Sequence, residues 1–187
     1  MQSLLGLSRW IDRTLSVFAG LGGWLGFGLV VVVCYDVITR YFGVPKPEGI
    51  NSTMIQEFEY WLHSGLIVFA IGYAYTRNAH VRIDLLRERF SERTRNLIEA
   101  IGISLALIPY SAIGFYLSWP FVRQSFISGE ISKSQTGLSN LWVVKAGLLI
   151  LFSLLLLAAV SQLIKSIARL TGDLEPESND SLVEGGH

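Results

Sequence analysis

The stretch LLILFSLLLLAAV, Leu148–Val160, decides the class of this chain. It carries one hydroxyl and no charge, and it lies inside a longer apolar run, Leu141–Leu163, whose one charge is Lys145 near the start. A helix rising ~1.5 Å per residue needs about 20 residues to cross a hydrocarbon layer ~30 Å thick. This run is long enough. Working outward, three further apolar runs appear, at about residues 15–38, 60–75 and 97–119. The first has no charge before Asp36, the second is shorter and contains His63, and the third has Pro109 near its middle, which predicts a kink.

With 51% hydrophobic and only 16% charged residues, the composition argues against a soluble domain. Polar stretches separate the runs, and the expected fold is an all-α integral membrane protein with four transmembrane helices. Arg9 and Arg13 precede the first run like the basic start of a signal peptide. The run is too long for that and no small-residue cleavage site follows, so an uncleaved span is expected. Cys34 is alone, so no disulfide can form within the chain.

Basic residues set the orientation. With four spans, Arg9, Arg13, Lys165 and Arg169 share one side with the middle loop and its Arg77, Arg82, Arg87, Arg89, Arg93 and Arg95. The other side holds half as many: Arg40, Lys46, Arg123, Lys133 and the flanking Lys145. The positive-inside rule therefore puts both termini in the cytoplasm. In the middle loop, Ile83, Leu86, Phe90 and Leu97 recur at helical spacing while RERFSERTR supplies charge. This predicts an amphipathic elbow helix at about 83–96, on the inner headgroup layer or against its own bundle. Residues 1–170 make the membrane domain, and 171–187, acidic and without Lys or Arg, read as a disordered cytoplasmic tail.

Several residues invite a chemical reading. His80 and Asp84, with Arg77 and Arg82 beside them, sit at helical spacing just after the second run, as a metal or acid–base pair would. Orientation places them on the cytoplasmic face, with no second cluster of ligands converging, and a structural elbow is the expectation. Bis-His haem ligation is disfavoured, because His63 and His80 would stand ~25 Å apart on nearly one helix. Glu57, Glu59, His63 and Lys145 are candidate polar contacts on the opposite, outer side. Glu59 is expected to pair with Lys145 or with a partner chain, and Asp36 with Arg40 one turn on. Gly22 and Gly26, with Gly65 and Gly72, are spaced for close helix approach and mark a candidate interface with another membrane subunit. No nucleotide motif or paired-cysteine motif is present, so neither a cofactor nor a nucleic acid is expected.

In order along the chain stand DVITRYFG (Asp36–Gly43), QEFEYWLHSGLIVFAIGYAY (Gln56–Tyr75), TRNAHVRIDLL (Thr76–Leu86), SWPFVRQSFISGEIS (Ser118–Ser132) and GLSNLWVVKAGLLI (Gly137–Ile150). This set resembles the small membrane subunit, or Q subunit, of tripartite ATP-independent periplasmic (TRAP) transporters, over about residues 10–170. The departure is the longer outer segment VPKPEGINSTM, Val44–Met54.

The resemblance implies a non-enzymatic accessory subunit in the bacterial inner membrane. Its partners would be a large multispan transport subunit, a periplasmic substrate-binding protein and membrane lipid. The large subunit would take up organic acids on an ion gradient, by the resemblance sodium. Two other readings stay open from the residues alone: a membrane anchor of a redox complex, and a self-associating small channel or exporter.

Overall fold

The computed structural model of the chain describes residues 2–77, 90–134 and 136–172. These form four long helices and, among the described residues, no strand. Helix α1 spans Gln2–Tyr41, α2 spans Ser52–Thr76, α3 runs through Glu92–Ile127 and α4 spans Trp142–Leu170. Helices α1, α3 and α4 are long and apolar enough to cross a membrane by length and composition. Helix α2 has 25 residues, a spanning length, but Glu57, Glu59 and His63 dilute its apolar character.

Local chemistry explains where each helix begins and ends. The Asn51 side chain caps α2 by accepting the Met54 N–H at 2.8 Å. At the far end of α2 the buried Gln162 amide donates to the Thr76 carbonyl at 3.3 Å, satisfying an acceptor with no partner in its own helix. Helix α1 closes on Gly43 at φ +63°, a left-handed turn that glycine adopts without strain. It is longer than the expected span at both ends, because its polar first turns continue the helix and pack on α4.

Half of the predicted elbow, residues 83–89, lies outside the described residues. From Ser91, whose hydroxyl caps the helix, residues 92–96 form the first turns of α3 and run unbroken into the span. Within α3, the Pro109 expectation resolves into a π turn at Ile103–Leu107, where the Ile108 N–H bonds the Ile103 carbonyl. The wider turn lets the helix continue where proline has no N–H to give. A second proline, Pro120, also sits inside this helix.

Helix α4 is the hub: it packs against α1, α2 and α3, whereas the other contact of comparable extent is the α1–α2 hairpin. The core joins Ile11 and Leu15 of α1 to Leu154 and Ala158 of α4, with Phe18, Phe69 and Tyr73 around them. Small residues make the close crossings. A Cβ on Gly72 would fall 2.9 Å from the Leu154 carbonyl oxygen, so α2 meets the α4 backbone directly there. On α3, Ser111, Ser118 and Ser125 recur every second turn, all buried, and the Phe152 ring of α4 covers Gly114 between them. Ser111 and Ser118 return their hydroxyls to the carbonyls of Leu107 and Gly114 at 2.7 Å, so they add no unpaired donor.

Candidate partner-binding surface

At the end of the bundle where α1 gives way to α2, charged groups fasten loops to helices. Asp36 is buried and its carboxylate takes two cations: Arg40 at 2.7 Å, the expected pair, and Lys46 at 2.6 Å from the outer segment. Lys46 also donates to the Ser52 hydroxyl at 2.8 Å, tying the segment across the mouth of the α1–α2 hairpin. The role of Lys46 went unread in the sequence, where only its charge was counted.

The loop joining α3 to α4 is bound at the same end. The Glu57 carboxylate accepts the Leu138 N–H at 2.6 Å and the Ser132 hydroxyl, and the Asn51 amide donates to the Thr136 carbonyl at 2.9 Å. Gly137 fits because a Cβ there would lie 2.5 Å from a Glu57 carboxylate oxygen.

Lys145 donates to Glu130, not to Glu59, and its ammonium lies 4.2 Å from the centre of the Phe121 ring. The expected Glu59–Lys145 pair is thus replaced by one inside the α3–α4 connection. Sequence separation explains it, since Glu130 leaves α3 beside the first turn of α4. That Lys145 hydrogen bond holds the Glu130 carboxyl below its ordinary range.

At the opposite end, α1 and α4 are clasped by polar side chains. The Ser8 and Ser161 hydroxyls lie 2.8 Å apart, Ser161 donates to Asp12 at 2.6 Å, and Lys165 meets the other Asp12 oxygen at 2.5 Å. Asp12 lies ahead of the first apolar run and Ser161 inside the last one, and neither position by itself points to the other. On the elbow, the Arg77 side chain bonds the Tyr73 hydroxyl at 3.1 Å and lies over its ring. His80, Arg82 and Asp84 lie outside the described residues.

The glycines predicted as an interface with another subunit point inward. Gly22 lies against the Leu66 backbone and Phe69, Gly26 against Leu66, Gly65 against Leu25, and Gly72 against Leu15 and Leu154. Their close approach serves the α1–α2–α4 packing. Of the predicted outer contacts, Glu57 and Lys145 are engaged within the chain. Glu59 keeps one carboxylate oxygen buried without a hydrogen bond, and His63 is exposed.

Apolar helices of spanning length, stitched at both ends by their own side chains, define a multi-pass membrane protein. Over residues 29–169 the sequence matches the DctQ component of tripartite ATP-independent periplasmic transporters. The chain belongs to this family. It is therefore a component of a multi-subunit transporter, a family of transport proteins and not of enzymes, and it works with a large membrane subunit and a binding protein. No curated protein and no solved structure gives a significant match to the chain.

Proposed function

We propose that this chain is the small permease subunit of a TRAP-type secondary transporter for organic acids, seated in the bacterial inner membrane with both termini in the cytoplasm. Helix α2 serves as the fourth span, paired antiparallel with α1. The large subunit carries the substrate and the ion coupling, with sodium the expected ion. The small subunit widens and steadies it and helps the periplasmic binding protein to dock at the α1–α2 mouth and the α3–α4 loop. The observation that carries this reading is the family match over residues 29–169.

The fixed geometry of the outer end supports the docking role. Glu57, Asn51 and Lys46 hold two loops on one helix start, which gives a visiting protein a firm surface. Reconstitution into liposomes tests the whole reading. Uptake of a carboxylate should need this chain, the large subunit and the binding protein together under an inward sodium gradient. Uptake by this chain alone sinks it.

A further inference from the structure

Exposed faces differ in what a lipid environment asks of them. The outward faces of α1 and α3 present Leu21, Val30 and Val31, and Leu105, Ile113 and Leu117, aliphatic side chains that hydrocarbon covers without cost. Between Leu15 and Tyr35 on α1, Ala100 and Val122 on α3, and Ala146 and Leu163 on α4, the sequence holds no Asp, Glu, His, Lys or Arg. Helix α2 is different. Its exposed stripe runs Tyr60, His63, Ile67, positions that fall on one side of a helix.

His63 is also deep. Its neighbour Leu62 packs at Gly28 of α1, a little over two turns, ~12 Å, short of the Asp36–Arg40 pair that marks the outer end. Glu59, one turn before His63, keeps a carboxylate oxygen buried with no hydrogen bond. An imidazole facing hydrocarbon at this depth is costly, and such groups turn to protein or to water.

Resting on the subunit assignment above, we infer that the Tyr60–His63–Ile67 face of α2 is the surface that meets the large transport subunit. That subunit would present a hydrogen-bonding group at membrane depth to His63 and to the edge carrying Glu59. Gly22, Gly26, Gly65 and Gly72 turn inward and do not compete for this role, whereas Gly20 and Gly23 leave a small-residue strip open on α1 that carries no polar side chain to match. Chemical complementarity chooses the occupant, because acyl chains supply no donor or acceptor and a partner helix does.

Photo-crosslinking in cells making the whole transporter tests this. A benzophenone amino acid replaces Tyr60 or Ile67 on α2, Trp24 on α1, or Tyr116 on α3. Crosslinks to the large subunit are expected from Tyr60 and Ile67, with those from Trp24 and Tyr116 going to lipid. Large-subunit crosslinks from Trp24 or Tyr116 but not from α2 overturn the inference and leave the subunit assignment standing. Crosslinks from α2 to a second copy of this chain overturn it too. If no position reaches a large subunit present in the same membrane, the assignment itself fails.

A second measurement isolates the polar contact. His63→Leu should weaken retention of the large subunit on affinity purification about threefold, the size of an average interhelical hydrogen bond in lipid. His63→Gln, which keeps a donor and an acceptor, should restore part of it. Equal retention in wild type and His63→Leu counts against a bonded His63.

Discussion

The Glu57 carboxylate accepts the Leu138 backbone N–H at 2.6 Å, fastening the α3–α4 loop to the early turns of α2. The same carboxylate takes the Ser132 hydroxyl, so one side chain closes both strands of the loop. Hydrogen bonds to a charged group contribute roughly 1.5–3 kcal/mol each when well made. Glu57→Ala should therefore release the loop locally, and Glu57→Gln should release it less. Amide exchange at Leu138 reads this directly: faster exchange in the Ala variant is expected, and unchanged protection contradicts the anchoring role.

Gly72 and Gly26 look alike in sequence and should respond differently to alanine. A Cβ at Gly72 meets the Leu154 backbone carbonyl at 2.9 Å, so α2 and α4 must move apart. Overpacking of this kind costs about 1–3 kcal/mol. At Gly26 the nearest atoms are the end of the Leu66 side chain at 3.4 Å, an ordinary contact. Thermal unfolding in detergent should show Gly72→Ala clearly destabilised and Gly26→Ala within about 0.5 kcal/mol of wild type.

The Lys145–Glu130 contact carries a pH dependence of known sign. Lys145 holds the Glu130 carboxyl below its ordinary value of 4.5, so the folded chain binds that proton less readily than the unfolded one. Such a contact contributes above the ordinary value and is lost as pH falls through the lowered folded value. Protection of loop amides near Glu130, taken relative to their intrinsic exchange at each pH, should fall as pH drops through that acid range in wild type and not in Glu130→Gln. In charge-reversal tests, Lys145→Glu should be rescued by Glu130→Lys and not by Glu59→Lys.

Asp12 joins α1 to α4 through Ser161 and Lys165, with its side chain about a third exposed. Screening by solvent reduces what the ion pair contributes, and the Ser161 hydrogen bond is the steadier part. Asp12→Ala should lower stability by about 1–2 kcal/mol in detergent unfolding. Lys165→Met should cost less, since it leaves the Asp12–Ser161 bond in place. The reverse order would place the strength in the ion pair.

Apolar length makes most of the helices legible in the sequence, because hydrocarbon thickness fixes what a span needs. The α1 extension was not, since Ser8 and Asp12 break the apolar pattern and their reason for being helical, Ser161 and Lys165, lies at the far end of the chain. Glycine spacing points to close approach with another subunit, whereas Gly22 and Gly72 meet helices of their own chain. The partner of Lys145 followed from the fold of the connecting loop, not from helical period. In α3, Ser111, Ser118 and Ser125 recur every seven residues, a spacing that is itself legible as a small, buried seam.

Among the described residues, helix α3 rests on α4 alone to any extent, and α4 is also what binds the α1–α2 hairpin to it. In order of synthesis α4 comes last. Before it enters the membrane, α1 and α2 can pair, but among the described residues α3 has no other extensive neighbour. Nascent chains halted after Leu141 should show cysteine crosslinks between α1 and α2 and none that hold α3 in place. Among the described residues, the bundle is therefore expected to close only when α4 has joined it.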